Sequence, residues 1–157
     1  MTQVQKNFIA GEWVSGPSEI ENINPSDLSD VVGVFAQASG DQLDDAVNAA
    51  RRAQAEWAAY GLERKQNVLM AIGNELMARA EELGTLLSRE EGKPLAEARG
   101  EVAYGGSFIE FFAEEAKRMA GETLRSYASD KRLLVFREPV GVVAAITPWN
   151  FPLAMIT

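Results

Sequence analysis

The 157-residue sequence contains no cysteine and no histidine. Without cysteine the chain has no disulfides, no thiolate metal site and no thiol nucleophile. Without histidine it also lacks the commonest other transition-metal ligand and the commonest general base. No metal site is expected. Basic residues are scarce as well: 15 Lys and Arg against 23 Asp and Glu give a formal net charge of −8. With no basic run, nucleic acid and anionic membrane surfaces are poor partners, and a small or neutral organic ligand suits the balance better. No apolar run approaches the roughly 20 residues of a membrane span, and Met1-Thr2-Gln3-Val4-Gln5-Lys6 lacks the apolar core of a signal peptide. A cytoplasmic location is expected. A Gly-x-Gly-x-x-Gly fingerprint, a P-loop and a carboxylate-rich metal loop are all missing, so phosphate binding is not argued from this chain.

What is present is a chain that is 46% hydrophobic, enough for the core of one domain. Phe8-Ile9-Ala10-Gly11-Glu12-Trp13-Val14 reads as a small hairpin about an Ala-Gly turn, a packing arm whose aromatics need a larger body to cover them. Turn chemistry in Asn22-Ile23-Asn24-Pro25-Ser26-Asp27 precedes a strand over Val31 to Ala38. Ser39 and Gln42 fit a capping box, and the helix that follows runs to about Ala59, with Leu43, Val47, Ala50, Ala53 and Trp57 as its buried stripe. Gly61 breaks it. A second helical pattern begins near Glu63, is interrupted near Ala80, and ends at Gly92 and Pro94.

A third helical pattern covers Leu95 to Ala120, with Val102, Gly105, Ile109, Phe112, Ala116 and Met119 on one face. Gly105 and Gly106 within it cost about 1 kcal/mol each relative to alanine, so close approach of another backbone is the expected compensation. At helical spacing, Phe108, Phe111 and Phe112 read as core in preference to the wall of a ligand channel. The acidic pairs Glu90-Glu91 and Glu114-Glu115 read as solvated helix faces, since adjacent helical residues diverge in direction. Leu133-Leu134-Val135-Phe136 is a strand with apolar residues on both faces, covered either by another subunit or within the same chain.

The chain closes on Val140-Gly141-Val142-Val143-Ala144-Ala145-Ile146-Thr147-Pro148-Trp149-Asn150-Phe151-Pro152. The β-branched run between Pro139 and Pro148 predicts a strand buried on both faces, as in a parallel sheet. Pro148 and Pro152 then restrict the backbone around Trp149-Asn150-Phe151 at the end of that strand, where ligands bind in open α/β sheets. The apolar ending Leu153-Ala154-Met155-Ile156-Thr157 is expected of a piece of a longer protein.

Ile146-Thr147-Pro148-Trp149-Asn150-Phe151-Pro152, after Arg137-Glu138-Pro139-Val140-Gly141-Val142-Val143, resembles the first cofactor-domain strand and asparagine turn of the NAD(P)-dependent aldehyde dehydrogenases. Asn7-Phe8-Ile9-Ala10-Gly11-Glu12-Trp13-Val14, Asn24-Pro25 and Glu91-Gly92-Lys93-Pro94-Leu95-Ala96-Glu97-Ala98 fall in the same order, so the resemblance spans essentially the whole chain. Leu95 to Glu115 and Phe151 to Thr157 are most similar to the succinate-semialdehyde and related semialdehyde branch. The resemblance implies an α/β fold, the N-terminal part of that family's architecture: helical segments, the first strands of a Rossmann-like domain and an oligomerisation hairpin. It implies a division into residues 1–120 (arm and helices of the cofactor domain), 121–137 (oligomerisation segment) and 138–157 (first strand and asparagine turn), the catalytic domain lying outside this chain.

By the same resemblance, Asn150 stabilises the oxyanion formed when a thiolate adds to an aldehyde. Ile146, Thr147, Pro148, Trp149 and Asn150 contact NAD or NADP. Phe151 and Met155 line the aldehyde channel, although either could be core. Asn donates its amide hydrogen bond with no proton transfer, which fits it to an oxyanion; an isolated Asn would more simply bond its own turn. The implied partners are a small aldehyde and, in the full-length protein, other copies in a dimer or tetramer. An arginine for a substrate carboxylate is implied immediately after Thr157. Because the chain holds no thiol, it is expected to be inactive alone. The competing reading is a non-enzymatic truncated binding or assembly module.

Overall fold

The computed structural model describes residues 3–157. The chain opens with β1 (Val4–Gln5), β2 (Asn7–Ile9) and β3 (Glu12–Val14). β2 and β3 pair antiparallel, with Phe8 opposite Trp13 and their ring centroids 4.9 Å apart. Ala10 and Gly11 in the turn have φ of 54° and 89°, the left-handed pair that matches a two-residue turn to the twist of its strands. Phe8 and Trp13 stay exposed, as expected of an arm.

Next come β4 (Ser18–Ile23) and β5 (Val31–Gln37), antiparallel to each other, with β1 added parallel to β5 in the order β1-β5-β4. β5 is the strand the sequence predicts; β4 is an addition, its Ser-Glu-Ile-Glu-Asn-Ile sequence being too polar to announce a strand. The loop between them is closed by its own side chains. Asn24 Oδ1 accepts from Ser26 N at 2.9 Å, and Asp27 Oδ1 accepts from Ser29 N at 3.0 Å. Arg89 then forks onto Asp30, Nε to Oδ2 at 2.9 Å and Nη2 to Oδ1 at 2.6 Å, tying this loop to the helices.

Four helices follow: α1 (Gly40–Ala59), α2 (Leu62–Ala78), α3 (Ala80–Glu91) and α4 (Leu95–Glu115). The capping box at the start of α1 is present in both directions, Gln42 N to Ser39 Oγ at 3.2 Å and Ser39 N to Gln42 Oε1 at 3.0 Å. The expected interruption near Ala80 is Arg79, which ends α2 and begins α3. Gly92 stops α3 in the left-handed region at φ 76°.

α4 packs against both α2 and α3 and carries the core: Ala98, Val102 and Ala113 are fully covered and Ile109 nearly so. Gly106 lies against α2, where an added Cβ would come 3.0 Å from Met77 Sδ and 3.8 Å from the Gly73 carbonyl oxygen. The helix–helix approach offsets the poor helix propensity of this glycine, as the sequence predicts.

α1 buries no residue, so its apolar stripe, Leu43 and Trp57 included, is not a core within this chain. On α4 the buried line passes from Ile109 to Ala113 and leaves Phe112 exposed; Met119, exposed too, lies beyond the helix, which ends at Glu115 rather than Ala120. A small residue one turn on lets the neighbouring helix approach, whereas Phe112 would hold it off. Phe111 is exposed too; it meets Phe112 edge to face at 5.3 Å on the outside of the bundle, so core packing does not account for this pair.

After a short 3₁₀ turn, Ala116–Arg118, a hairpin forms from β6 (Glu122–Arg125) and β7 (Arg132–Val135), paired antiparallel. All eight of its paired residues are exposed, so the chain itself does not cover this strand pair. Residues 136–148 belong to no strand, and Val140, Val143 and Ile146 are exposed. The strand expected there, buried on both faces, is therefore not formed: a parallel strand needs ladder partners on both sides, and no described strand pairs with this segment. No helix among the described residues is long and apolar enough to cross a membrane.

Candidate active site

The asparagine turn is held from below by the helices. Trp149 and Asn150 form a turn, and the chain then coils through residues 151–156, with Met155 N donating to Phe151 O at 3.1 Å and Ile156 N to Leu153 O at 3.2 Å. Two amides near the start of this coil, Leu153 N and Ala154 N, donate to one oxygen of Glu101, Oε1, at 3.0 and 3.2 Å. A carboxylate from the middle of α4 thus does what an N-cap side chain does locally: it satisfies amides that have no partner within their own turn. Gly105, one turn further along α4, leaves room for side chains of the coil, not for the second backbone expected there. A Cβ there would stand 2.6 Å from Leu153 Cδ2 and 3.2 Å from Thr157 Oγ1.

The other oxygen of Glu101 receives Lys93 Nζ. Lys93 lies just after α3, and its ammonium has two further oxygen contacts: it donates to the Asn150 main-chain oxygen at 2.9 Å and pairs with Glu91 Oε2 at 2.6 Å. It also sits 4.7 Å from the centroid of the Phe151 ring. The side chains of Lys93, Glu91 and Glu101 are only 14%, 6% and 1% exposed. Burial acts against the Lys93 ammonium, but the carboxylates of Glu101 and Glu91 outweigh it and hold its pKa above the ordinary lysine value. Glu91 was expected on a solvated helix face and is instead buried in this pair; its neighbour Glu90 is exposed and accepts from Asn22 Nδ2 at 2.7 Å. Glu114 and Glu115 do lie at the surface, paired with Lys117 and Arg118.

The sequence residues singled out for function divide between the coil and the segment leading into it. Asn150, Phe151 and Met155 lie on the turn and coil, all three exposed. The hydrogen bond that the structure gives residue 150 runs through its main-chain oxygen rather than its carboxamide. Thr147 is half-buried and Pro148 exposed, while Ile146 and Trp149 are 96% and 83% exposed. No group of three or more acidic residues with metal-holding geometry occurs among the described residues. Glu101 and Lys93 are the site residues that sequence reasoning missed. The signal was available for Glu101, which stands four residues before Gly105 and one before Val102, a lone charge on the apolar face of α4.

The chain matches the aldehyde dehydrogenase family over residues 13–157. It is 43% identical over 155 residues to a succinate-semialdehyde dehydrogenase [NADP(+)] of Escherichia coli K12, an alignment covering 98% of this chain and 32% of that protein. Among solved structures, succinate-semialdehyde dehydrogenase from Burkholderia pseudomallei superposes with a TM-score of 0.90 at 40% identity, over 99% of this chain and 32% of that one. NADP-dependent glyceraldehyde-3-phosphate dehydrogenase from Bacillus halodurans C-125, solved with NADP, superposes with a TM-score of 0.89 at 34% identity, over 98% of this chain and 34% of that one. The chain spans about a third of the length of the relatives it matches. Sequence and fold agree, and the chain belongs to the aldehyde dehydrogenase family.

Proposed function

We propose that this chain is the N-terminal third of an NAD(P)-dependent semialdehyde dehydrogenase and supplies its oxyanion donor, Asn150. The observation that carries the reading is the Trp149-Asn150 turn, anchored through its main chain by Lys93 and followed by a coil anchored by Glu101, with residue 150 itself exposed. A carboxamide held this way needs no reorganisation to donate to an oxygen that gains charge as a thiolate, supplied outside this chain, adds to an aldehyde carbon. Such a donor acts on the transition state more than on the substrate. Phe151 and Met155, exposed on the same coil, form part of the aldehyde channel.

A nicotinamide dinucleotide fits the segment before the turn. Residues 146–149 have main-chain groups outside any sheet ladder and exposed Ile146 and Trp149 side chains, a surface for the nicotinamide ribose. Residues 146–149 would hold the nicotinamide beside the aldehyde carbon, where it would supply the hydride acceptor once the thiolate has added. In the same reading the enzyme is a cytoplasmic homo-oligomer, dimer or tetramer, whose partner subunit covers the open β6–β7 hairpin.

The test is to read the frame past Thr157 and assay its product. A continuing frame that encodes a cysteine nucleophile, with an arginine directly after Thr157, is the expected result, and semialdehydes are its preferred substrates. In that enzyme Asn150→Ala lowers kcat by about 10²–10³-fold with little change in cofactor affinity, and Asn150→Asp is worse, because a carboxylate repels the developing oxyanion. Full kcat in Asn150→Ala with chemistry rate-limiting overturns the oxyanion role. A frame that stops at Thr157 favours a non-enzymatic module.

A further inference from the structure

We propose that Lys93 and Glu101 are positioning residues that set the aim of Asn150, acting through the main chain of residue 150 and of the coil that follows it; this rests on the oxyanion reading above. Three features separate the pair from an ordinary structural ion pair. First, its side chains are almost wholly covered, and burying charge is costly unless each group is fully bonded. Second, the available bonds are spent on residues 150, 153 and 154: Lys93 Nζ reaches the Asn150 carbonyl, and Glu101 Oε1 receives the amides of Leu153 and Ala154. Third, one residue lies in the α3–α4 junction and the other within α4. Lys93 follows Gly92, and Glu101 lies within α4, eight positions on.

The carbonyl of residue 150 lies on the same peptide segment as the Cα that carries its carboxamide. Fixing that oxygen, and fixing two amides three and four residues further on, limits the backbone rotations after residue 150 by which the turn could carry the carboxamide away. The Phe151 ring, beneath the same ammonium at 4.7 Å, is held by the same group. Glu91 adds a second carboxylate as an ion pair at 2.6 Å, with no hydrogen bond to either of its buried oxygens.

The experiment is a double-mutant cycle in the full-length enzyme, read as the single-turnover rate of NAD(P)H formation. Lys93→Met and Glu101→Gln, each on its own, are expected to slow that step by about 10-fold or more, the scale of misplacing a catalytic group by a fraction of an ångström to an ångström, while cofactor affinity stays unchanged. Lys93→Arg, which keeps a cation over the turn, recovers part of the rate. In an Asn150→Ala background the same Lys93→Met and Glu101→Gln changes cost less than about two-fold, because no carboxamide is left to aim. Glu101→Gln is close to isosteric but gives up the charge that pairs with Lys93 and strengthens the bonds from Leu153 and Ala154, so it reports on the pair even if Lys93→Met does not fold. Equal losses with and without Asn150 overturn the proposal and make the pair merely structural. A full rate in Asn150→Ala alone overturns the oxyanion reading instead, whatever Lys93 and Glu101 do.

Discussion

Gly84 sets how closely α3 and α4 approach, and replacing it by alanine tests the packing on which the site rests. A Cβ at residue 84 would stand 2.7 Å from Arg99 Cγ, 3.1 Å from Arg99 Cα and 3.2 Å from Arg99 N. The Arg99 side chain can swing aside; its Cα and N cannot move without moving α4. Alanine gains about 1 kcal/mol of helix propensity, and the buried methyl adds up to about 0.8 kcal/mol. Overpacking against backbone costs about 1–3 kcal/mol, and contact with two main-chain atoms places this site at the upper end of that range. The net expectation for Gly84→Ala is a loss of about 1 kcal/mol. Gly73→Ala is the matched control: its Cβ would meet Ile109 Cγ2 at 3.4 Å and the Gly106 oxygen at 3.6 Å, ordinary contacts. There the propensity gain survives, and stability rises by up to about 1 kcal/mol. Urea unfolding followed by far-ultraviolet circular dichroism reads both variants on the same helices. If Gly84→Ala proves as stable as Gly73→Ala, the close approach of α3 and α4 is not what the distances say.

The Asp30 carboxyl is held down to about 2, first by its fork from Arg89 and then by Asn24. A depressed carboxyl contributes stability that is fully present above its ordinary value near 3.8 and is lost as pH falls through about 2. Stability is therefore expected to decline between pH 4 and pH 2, and Arg89→Met to flatten that decline and return the Asp30 titration toward 3.8, as followed by carboxyl-carbon NMR. Ser39→Ala removes the side-chain half of the capping box and should cost about 1 kcal/mol. Because α1 buries no residue, the change should appear as faster amide exchange in its first turn, at Gln42 above all, with α4 unaffected.

What could be read from the sequence was local. Ser39 and Gln42 announce the start of α1, Ala10-Gly11 the first hairpin, and Gly61 and Gly92 the helix ends, because each signal lies within the few residues whose backbone it controls. What could not be read was set by partners far along the chain. β4 is polar and exists because β5 pairs with it. The apolar stripe of α1 and the valine-rich run at 140–146 are genuine, yet neither is buried, since periodicity records which face seeks cover and says nothing of whether the same chain supplies it. Glu91 looks like a helix-surface acid until Lys93 is brought beside it, and the place of Glu101 on the apolar face of α4 does not name its partners, which lie 52 positions away in the case of Leu153. The two kinds of error have one cause: burial is decided by tertiary neighbours.

The same distinction yields a prediction about the last eighteen residues, which are not one unit. The coil after Asn150 is anchored by groups this chain already owns, Lys93, Glu101 and the space left by Gly105. The run before Pro148 is not: it has no ladder partner among the described strands, and its Ile146 side chain is 96% exposed. Local stability should therefore step upward along the sequence, against the ordinary rule that a chain end frays first. In hydrogen exchange on the 157-residue chain, the amides of Leu153 and Ala154 should be protected while those of Val142 to Ile146 exchange at close to unfolded rates. Glu101→Gln should weaken the first pair without touching the second segment, because only the first depends on that carboxylate. Protection at Val142 to Ile146 equal to that at Leu153 and Ala154 would show that the segment finds cover the structure does not give it. Loss of protection at both on Glu101→Gln would mean that strand and turn form together, and that the turn is not held by the helices alone.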